Sequence, residues 1–477
     1  MRTIRHHVDL QARQRPDAPF LVSPETGKVL TFSQLGLQAR KLCGLLKAKG
    51  LKPGDRVAFF CANGRRTAVQ LLGPMVGGYV AVPLNLVAQP SQLEYVLSHS
   101  GAKLVFADAE NIGRIAPFGV PVMEMDVDGD VDFSEIEEKK PDEDHPALLM
   151  YTSGTTGRPK GCLLTQRNVV SGGIFVQQAH ALTERDRVLS SLPLYHINGQ
   201  IVAIVAPLVS GGSVVAPHRF SVSQFWDLLE RYECTWFNVV PTIISYLLSA
   251  NADLTGKDFS RVRFGRSASA PLAPELLVAF ERRFGIGIVE TFGMTETAAP
   301  CFSNPLDPAR RKVGSVGRPV GNQARIDADE IQVKGDNVMR EYFDNPEETK
   351  KAFTADGWLR TGDLGRVDEE GYYFVTGRMK ELIIKGGENI APREIDDVLY
   401  RHPAVLEAAA VGMPDPHYGQ EILAAVVLRP GAQASEQELR GFCERELGRY
   451  KTPKQFRFLK ELPKGPSGKV QRLKLLE

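Results

Sequence analysis

The chain carries almost no net charge: 58 Lys and Arg stand against 57 Asp and Glu, leaving +1. That balance offers no general attraction to nucleic acid or to an anionic membrane surface, so neither is expected as a partner. Cysteine is sparse and scattered, at Cys43, Cys61, Cys162, Cys234, Cys301 and Cys443. No two of these have C-x-x-C spacing, which argues against a zinc site and a disulfide framework and points to the reducing cytoplasm. The amino terminus, "MRTIRHHVDLQARQRP", has no apolar signal core. Long hydrophobic runs are also missing. The most apolar stretch, "IVAIVAPLVSGGSVVA", is broken by Pro207, Gly211 and Gly212. It falls short of the roughly 20 residues that a bilayer span needs, so a buried α/β core is expected there. There are no internal repeats and no low-complexity tracts.

What is present is the composition of a soluble globular protein, 43% apolar and 24% charged over 477 residues, enough for two or three domains. The first third alternates helical and strand signals. "TFSQLGLQARKLCGLLKAKG" has helical apolar spacing, "DRVAFFC" and "KLVFAD" are short buried strands, and "RTAVQLLGPMVGGYVAVPLN" reads as helix, glycine break and strand. The alternation implies βαβ units and mostly parallel, doubly covered sheet. It recurs in "RVLSSLPLYH", "SVVAPHRFS", "CTWFNVVPT", "VRFGRSASA" and "GIGIVETFG". Ligands gather at the carboxyl ends of such strands, so several of these loops are expected to line one cleft. From about residue 326 the texture becomes a small β region, and after "GRMK" a compact α+β unit. The fold class expected is α/β: a large amino-terminal domain, 1–379, followed by a small mobile α+β domain, 380–477.

The stretch "YTSGTTGRPKG", Tyr151 to Gly161, follows a strand with glycines, hydroxyls and two cations. Unhindered N–H groups in such a loop converge on phosphate oxygens, and Lys160 adds a point charge. Its spacing is neither G-x-x-x-x-G-K-[ST] nor G-x-G-x-x-G. On these residues alone, a phosphate loop and a plain surface turn stand level.

The stretch resembles the phosphate loop of the adenylate-forming superfamily of acyl-CoA synthetases, peptide-synthetase adenylation domains and luciferases. Four more stretches resemble that superfamily's motifs in its order: "ETFGMTE", "GWLRTGD", "GRMKELIIKGGENIAPREID" and "LPKGPSGKVQR". The resemblance implies ATP and a carboxylic acid giving acyl-AMP and pyrophosphate, then acyl transfer to CoA, with Mg²⁺ as cofactor. It implies a phosphate cradle of Thr152, Ser153, Gly154, Thr155, Thr156, Gly157 and Lys160. Ser269, Ala270 and Pro271, with Glu290, Thr291, Phe292, Gly293 and Met294, would border the adenine, Ala268 replacing the usual glycine. Thr295 would donate to the α-phosphate and Glu296 would hold the magnesium. Asp363 would accept from the ribose hydroxyls with Arg378 in support. Lys469 is the implied mobile catalytic lysine and Lys380 the hinge; Gly386 and Gly387 would admit the pantetheine thiol. His196 is expected as a gate to the acyl pocket, with Phe237 and Val240 in its wall.

Two readings compete with an acyl-CoA synthetase. One is a ligase passing the acyl group to an amine such as an amino acid; the other is a non-catalytic nucleotide-binding protein. Lys469, Glu296 and Asp363 weigh against the second. No carrier-protein domain follows Lys469, so a stand-alone enzyme, monomer or homodimer, is expected. "PLYHING", "WFNVVPT" and "SASAP" supply no cation placed to pair with a second carboxylate. An uncharged fatty, cyclic or aryl acid is therefore expected. The turn between "GNQARID" and "EIQVKG" is shorter than in the superfamily, with only Ala328 and Asp329 between them; a trimmed surface is expected there.

Overall fold

A computed structural model describes residues 2–152, 158–250, 252–465 and 469–477. The expected cradle residues Ser153, Gly154, Thr155, Thr156 and Gly157 lie outside the described residues.

Two large sheets sandwich a layer of helices. One is seven-stranded. Its parallel part runs Pro146–Thr152, Val80–Pro83, Arg56–Phe60, Leu104–Ala107, Val122–Glu124, and Lys160–Thr165 and Glu341–Tyr342 add antiparallel pairs at one edge. The other is nine-stranded, with Ile288–Met294, Phe264–Ser267, Trp236–Val239, Arg187–Leu189, Ser213–Val215 and Pro19–Val22 parallel in that order.

Strand side chains alternate between faces, and here the alternation divides the core. Trp236 and Phe264 point into the space between the sheets, where helices Ile4–Gln14, Phe32–Ala48, Arg65–Val76 and Gln166–His180 fill the layer. Phe237, Val239 and Ile288 point the other way, under helices Val222–Arg231, Pro241–Ser249 and Pro274–Phe284. Burying each such large side chain contributes roughly 1.5–3 kcal/mol. Thr31 with Gln34, and Thr165 with Asn168, close reciprocal caps that fix where two of the central helices start.

The apolar stretch after His196 is buried as expected, but its first part, Asn198–Val205, is π-helical before an α-helical turn, Ala206–Ser210. Among the described residues no helix is long and apolar enough to cross a membrane. All six cysteines are buried and free.

A third sheet, Gln323–Asp327, Glu330–Lys334, Leu359–Val367 and Tyr373–Arg378, is antiparallel. Ala328 and Asp329 form the whole turn of its first hairpin, both left-handed at φ 47° and 62°, as the tightest hairpin turns require. Met379–Glu381 then leads into a fourth sheet built around Val405–Asp415 and Gly419–Leu428 and covered by helices Pro392–Tyr400 and Glu436–Lys451. The mixed α/β architecture expected from the alternation is therefore present. What the alternation did not reveal is that the strands divide between two sheets sharing one helical layer.

Candidate active site

The third sheet holds Asp363 with its carboxylate buried, 2% exposed. Arg378, its cross-strand partner, donates from Nε to Asp363 Oδ1 at 2.7 Å. Burial pushes the Asp363 carboxyl up, and the charges of Arg378 and Lys469 oppose that shift. Lys469 reaches this place from the far end of the chain: its Nζ lies 3.4 Å from Glu381 Oε1. Burial lowers the Lys469 ammonium, and Arg378 beside it acts in the same direction. Glu381 also takes Arg472, whose Nε is 3.2 Å from Oε2, and Arg472 in turn pairs with the buried Asp396. A cationic side chain is thus held beside a buried, acceptor-only carboxylate at the junction of the third and fourth sheets.

Glu296 follows the strand Ile288–Met294 in a single 3₁₀ turn and is buried. Its Oε1 accepts from the Tyr342 hydroxyl at 2.7 Å. Lys160 lies over the Tyr342 ring, 5.0 Å from its centroid, and pairs with Glu348. That contact, with help from Lys351, holds the Glu348 carboxyl down at about 2. Thr152 faces Lys160 across the hairpin that carries the phosphate-loop motif.

The strand holding Glu290 and Thr291 buries both, and leaves Phe292 to Thr295 partly open. Burial pushes the Glu290 carboxyl up to about 7, with the Arg393 charge opposing. Gly293 is demanded by packing: a Cβ there would lie 2.5 Å from the Ala299 carbonyl oxygen. Ser269, next to Ala270 and the exposed Pro271, has φ 75°, a left-handed conformation that costs a non-glycine residue about 1–3 kcal/mol and gathers at functional sites.

His196 has a buried Nε2 without a partner. Burial pushes the imidazole down to about 4, so it is neutral at neutral pH. Two residues on, Asn198 Nδ2 donates to Ser269 Oγ at 3.0 Å. Phe237 and Val240, expected in the wall of the acyl pocket, both pack in the cluster under the outer helices. Phe237 lies on the outer face of its strand, packed over Gly265, where a Cβ would sit 2.2 Å from its ring, and Val240 belongs to the same outer cluster. The period of two decides this for Phe237, since Asn238, between Phe237 and Val239, takes the inner face; Val240 lies just past the end of the strand.

Lys380 is exposed within Met379–Glu381. Gly386 and Gly387 form a two-residue turn at φ 55° and 89°, beside Tyr418 and Tyr450. That turn needs glycine for its own geometry.

Tyr342, Glu381, Asp396 and Arg472 escaped the sequence reading as working parts. Three of them lie inside or beside quoted motifs, but Tyr342 stands alone in "REYFDN" and only the sheet edge brings it to Glu296.

The AMP-binding enzyme family matches residues 8–343, and the AMP-binding enzyme C-terminal domain matches 394–469. The chain is 54% identical to a sulfoacetate–CoA ligase of Cupriavidus necator, over 99% of this chain and 97% of that one. It is 36% identical to an oxalate–CoA ligase of Arabidopsis thaliana, over 93% and 92% of the two chains. Among solved structures, ATP-bound MatB from Rhodopseudomonas palustris superposes with a TM-score of 0.91 at 31% identity, covering 98% of both chains.

Proposed function

Because the chain belongs to the AMP-binding enzyme family, we propose that it is an acyl-CoA synthetase whose acid is short and carries a second anionic group. The acid's carboxylate attacks the α-phosphorus of ATP, releasing pyrophosphate and leaving acyl-AMP. The CoA thiol then displaces AMP, giving the thioester and a proton. The substrate class departs from the uncharged acid expected from the sequence. It rests on the relatives named for sulfoacetate and oxalate, two acids that each carry a second acidic group.

The observation that carries the adenylation chemistry is the meeting of Lys469 with Asp363 and Arg378. Asp363 is suited to accept both ribose hydroxyls because an ionised carboxylate only accepts. Lys469 would then reach the α-phosphate, where charge builds as the carboxylate attacks; a fixed cation at developing charge is the largest single catalytic resource of such sites. Thr295 would donate to the same phosphate. Ser269, Ala270 and Pro271, with Glu290 to Met294, would border the adenine, and Thr152 with Lys160 would flank the phosphate cradle. His196, neutral, would stand beside the acyl group.

Magnesium suits Glu296: a buried carboxylate oriented by Tyr342 supplies the hard oxygen that this ion prefers, and it needs few protein ligands. Bound there, it would neutralise phosphate charge. The division at 379/380 belongs to the same proposal, since the third sheet ends at Arg378 and the fourth starts at Ile383. On this reading Lys380 is the hinge, and Gly386 and Gly387 would face the thiol after the small domain turns. The cytoplasm is the compartment that free cysteines fit.

The test is incubation with ATP, magnesium and CoA against a panel of acids: sulfoacetate, oxalate, malonate, acetate and octanoate. Mass spectrometry should find the thioester of a doubly acidic member together with AMP and pyrophosphate. Thioester from octanoate alone would overturn the substrate class, and release of ADP instead of AMP would overturn the reaction.

A further inference from the structure

Arg266 is the largest charged side chain in the fully buried core, at 2% exposure. It stands on the inner face of the strand Phe264–Ser267, opposite Asn238 across the strand pair. Its Nη1 donates to Asn198 Oδ1 at 2.8 Å and to Asn238 Oδ1 at 2.9 Å. Asn238 Nδ2 also donates to Asn198 Oδ1, at 3.1 Å. Arg266 Nε is buried and has no partner among the described residues. Burial pushes the guanidinium down to about 9, and no carboxylate among the described residues forms an ion pair with it.

Such a charge is expensive. A buried cation is normally paired, because neutral amide oxygens do not replace the hydration that it loses. The same chain observes the rule elsewhere: buried Arg5 faces Glu137 and buried Arg65 faces Asp130. Arg66, buried and in no ion pair among the described residues, still feels the charge of Asp126, whereas no anionic group among the described residues offsets Arg266.

The place of this cation gives it a use. Asn198, which holds Arg266, also donates to the exposed Ser269. A chain of hydrogen bonds therefore links the exposed Ser269 through Asn198 to the guanidinium, and His196 Nε2 has no partner among the described residues, two positions from the same asparagine. An acid whose reacting carboxylate lies near Ser269 would direct its other end toward this chain of donors.

We propose that Arg266, aimed by Asn198 and Asn238, binds the second anionic group of the acid, sulfonate or carboxylate, and so determines the substrate class. This rests on the reading of the protein as a CoA ligase for doubly acidic substrates. Substrate supplies the missing counter-charge, and a singly charged acid leaves the guanidinium unpaired. A charge-assisted contact of this kind is worth at least ~10-fold in binding.

The test compares wild type with Arg266→Met and Arg266→Lys, following pyrophosphate release. For sulfoacetate, Arg266→Met should raise KM at least ~10-fold and leave the KM of ATP unchanged, while acetate turnover should hold or rise. Arg266→Lys, which keeps the charge, should keep the preference for sulfoacetate over acetate. Sulfoacetate should raise the Tm of wild type and not that of Arg266→Met, and the free Arg266→Met protein should melt no lower than wild type because an unpaired buried charge has gone. Equal losses for sulfoacetate and acetate would place Arg266 on the reacting carboxylate and overturn the proposal. So would an unchanged preference in a folded Arg266→Met protein, or failure of both variants to fold. If wild type itself accepts no doubly acidic substrate, the substrate reading falls first, whatever the variants do.

Discussion

At the scale of single residues, the site depends on side chains whose charge is set by burial and by one or two neighbours. Lys469 is the sharpest case. Removing a donor aimed at transition-state charge costs roughly 3–4 kcal/mol, or ~10²–10³ in rate. Lys469→Ala should therefore lose adenylation by that factor, measured as pyrophosphate exchange, and still convert added acyl-AMP to thioester. Adenylation within tenfold of wild type would remove Lys469 from the reaction. The motif "PKGPSGK" made this lysine legible in the sequence. Its partner Glu381 was not, because a glutamate next to a lysine looks like ordinary surface charge until the fold brings the chain end back to it. Arg266 was missed for the opposite reason. It lies in "GRSASAP", directly before "SASAP", and a strand arginine reads as an exposed edge unless its neighbours' faces are known.

At the scale of elements, the strands and helices were readable from period and caps: "KLVFAD" contains the strand Leu104–Ala107, and "PREIDDVLY" is a helix with proline at its first turn. The π-helical stretch Asn198–Val205 was not readable, since an apolar run has no period to betray a wider turn. Faces were also harder than elements: "WFNVV" announces a strand without saying which way Phe237 points. The short segment Met379–Glu381 carries the next prediction. Proline fixes φ near −65°, so Lys380→Pro should restrain rotation of the small domain. Pyrophosphate exchange should persist, because Lys469 already faces Asp363, and thioester formation should fall at least ~10²-fold, the scale on which small misplacements act. A folded variant that forms thioester at the normal rate would rule out domain rotation. A melting curve distinguishes this from simple unfolding.

At the scale of the whole molecule, the two large sheets are fastened by a buried carboxylate that no motif announced. Asp128 accepts from Ser23 and Thr26 after the first strand of the nine-stranded sheet, and from His218 beyond another of its strands. It also accepts from the N–H of Arg65, which opens the helix following a strand of the other sheet. Burial opposes ionisation of Asp128, but the bonds from His218, Ser23, the Arg65 N–H and Thr26 hold it well below the usual carboxylate range. The same contact raises His218 above the ordinary histidine value. A raised histidine contributes stability fully below its unfolded pKa of roughly 6.5 and loses it as pH rises through the folded value. The Tm gap between wild type and His218→Gln should therefore be wider at pH 6 than at pH 9; an equal gap would show that the imidazolium contributes nothing. Long-range fastenings of this kind join residues about a hundred positions apart, which is why sequence spacing could not reveal them.

The cluster around Glu381 has a kinetic side. Of its two cations, Arg472 is anchored within the small domain by Asp396, whereas Lys469 is partly open to solvent and faces groups across the domain boundary. Dissolved ions weaken the open pair first, because salt screens solvent-exposed charges much more than buried ones. Ionic strength then works as a throttle on one half of the catalytic cycle. As salt is added, pyrophosphate release should slow while thioester formation from supplied acyl-AMP holds its pace, until adenylation alone sets the tempo of turnover.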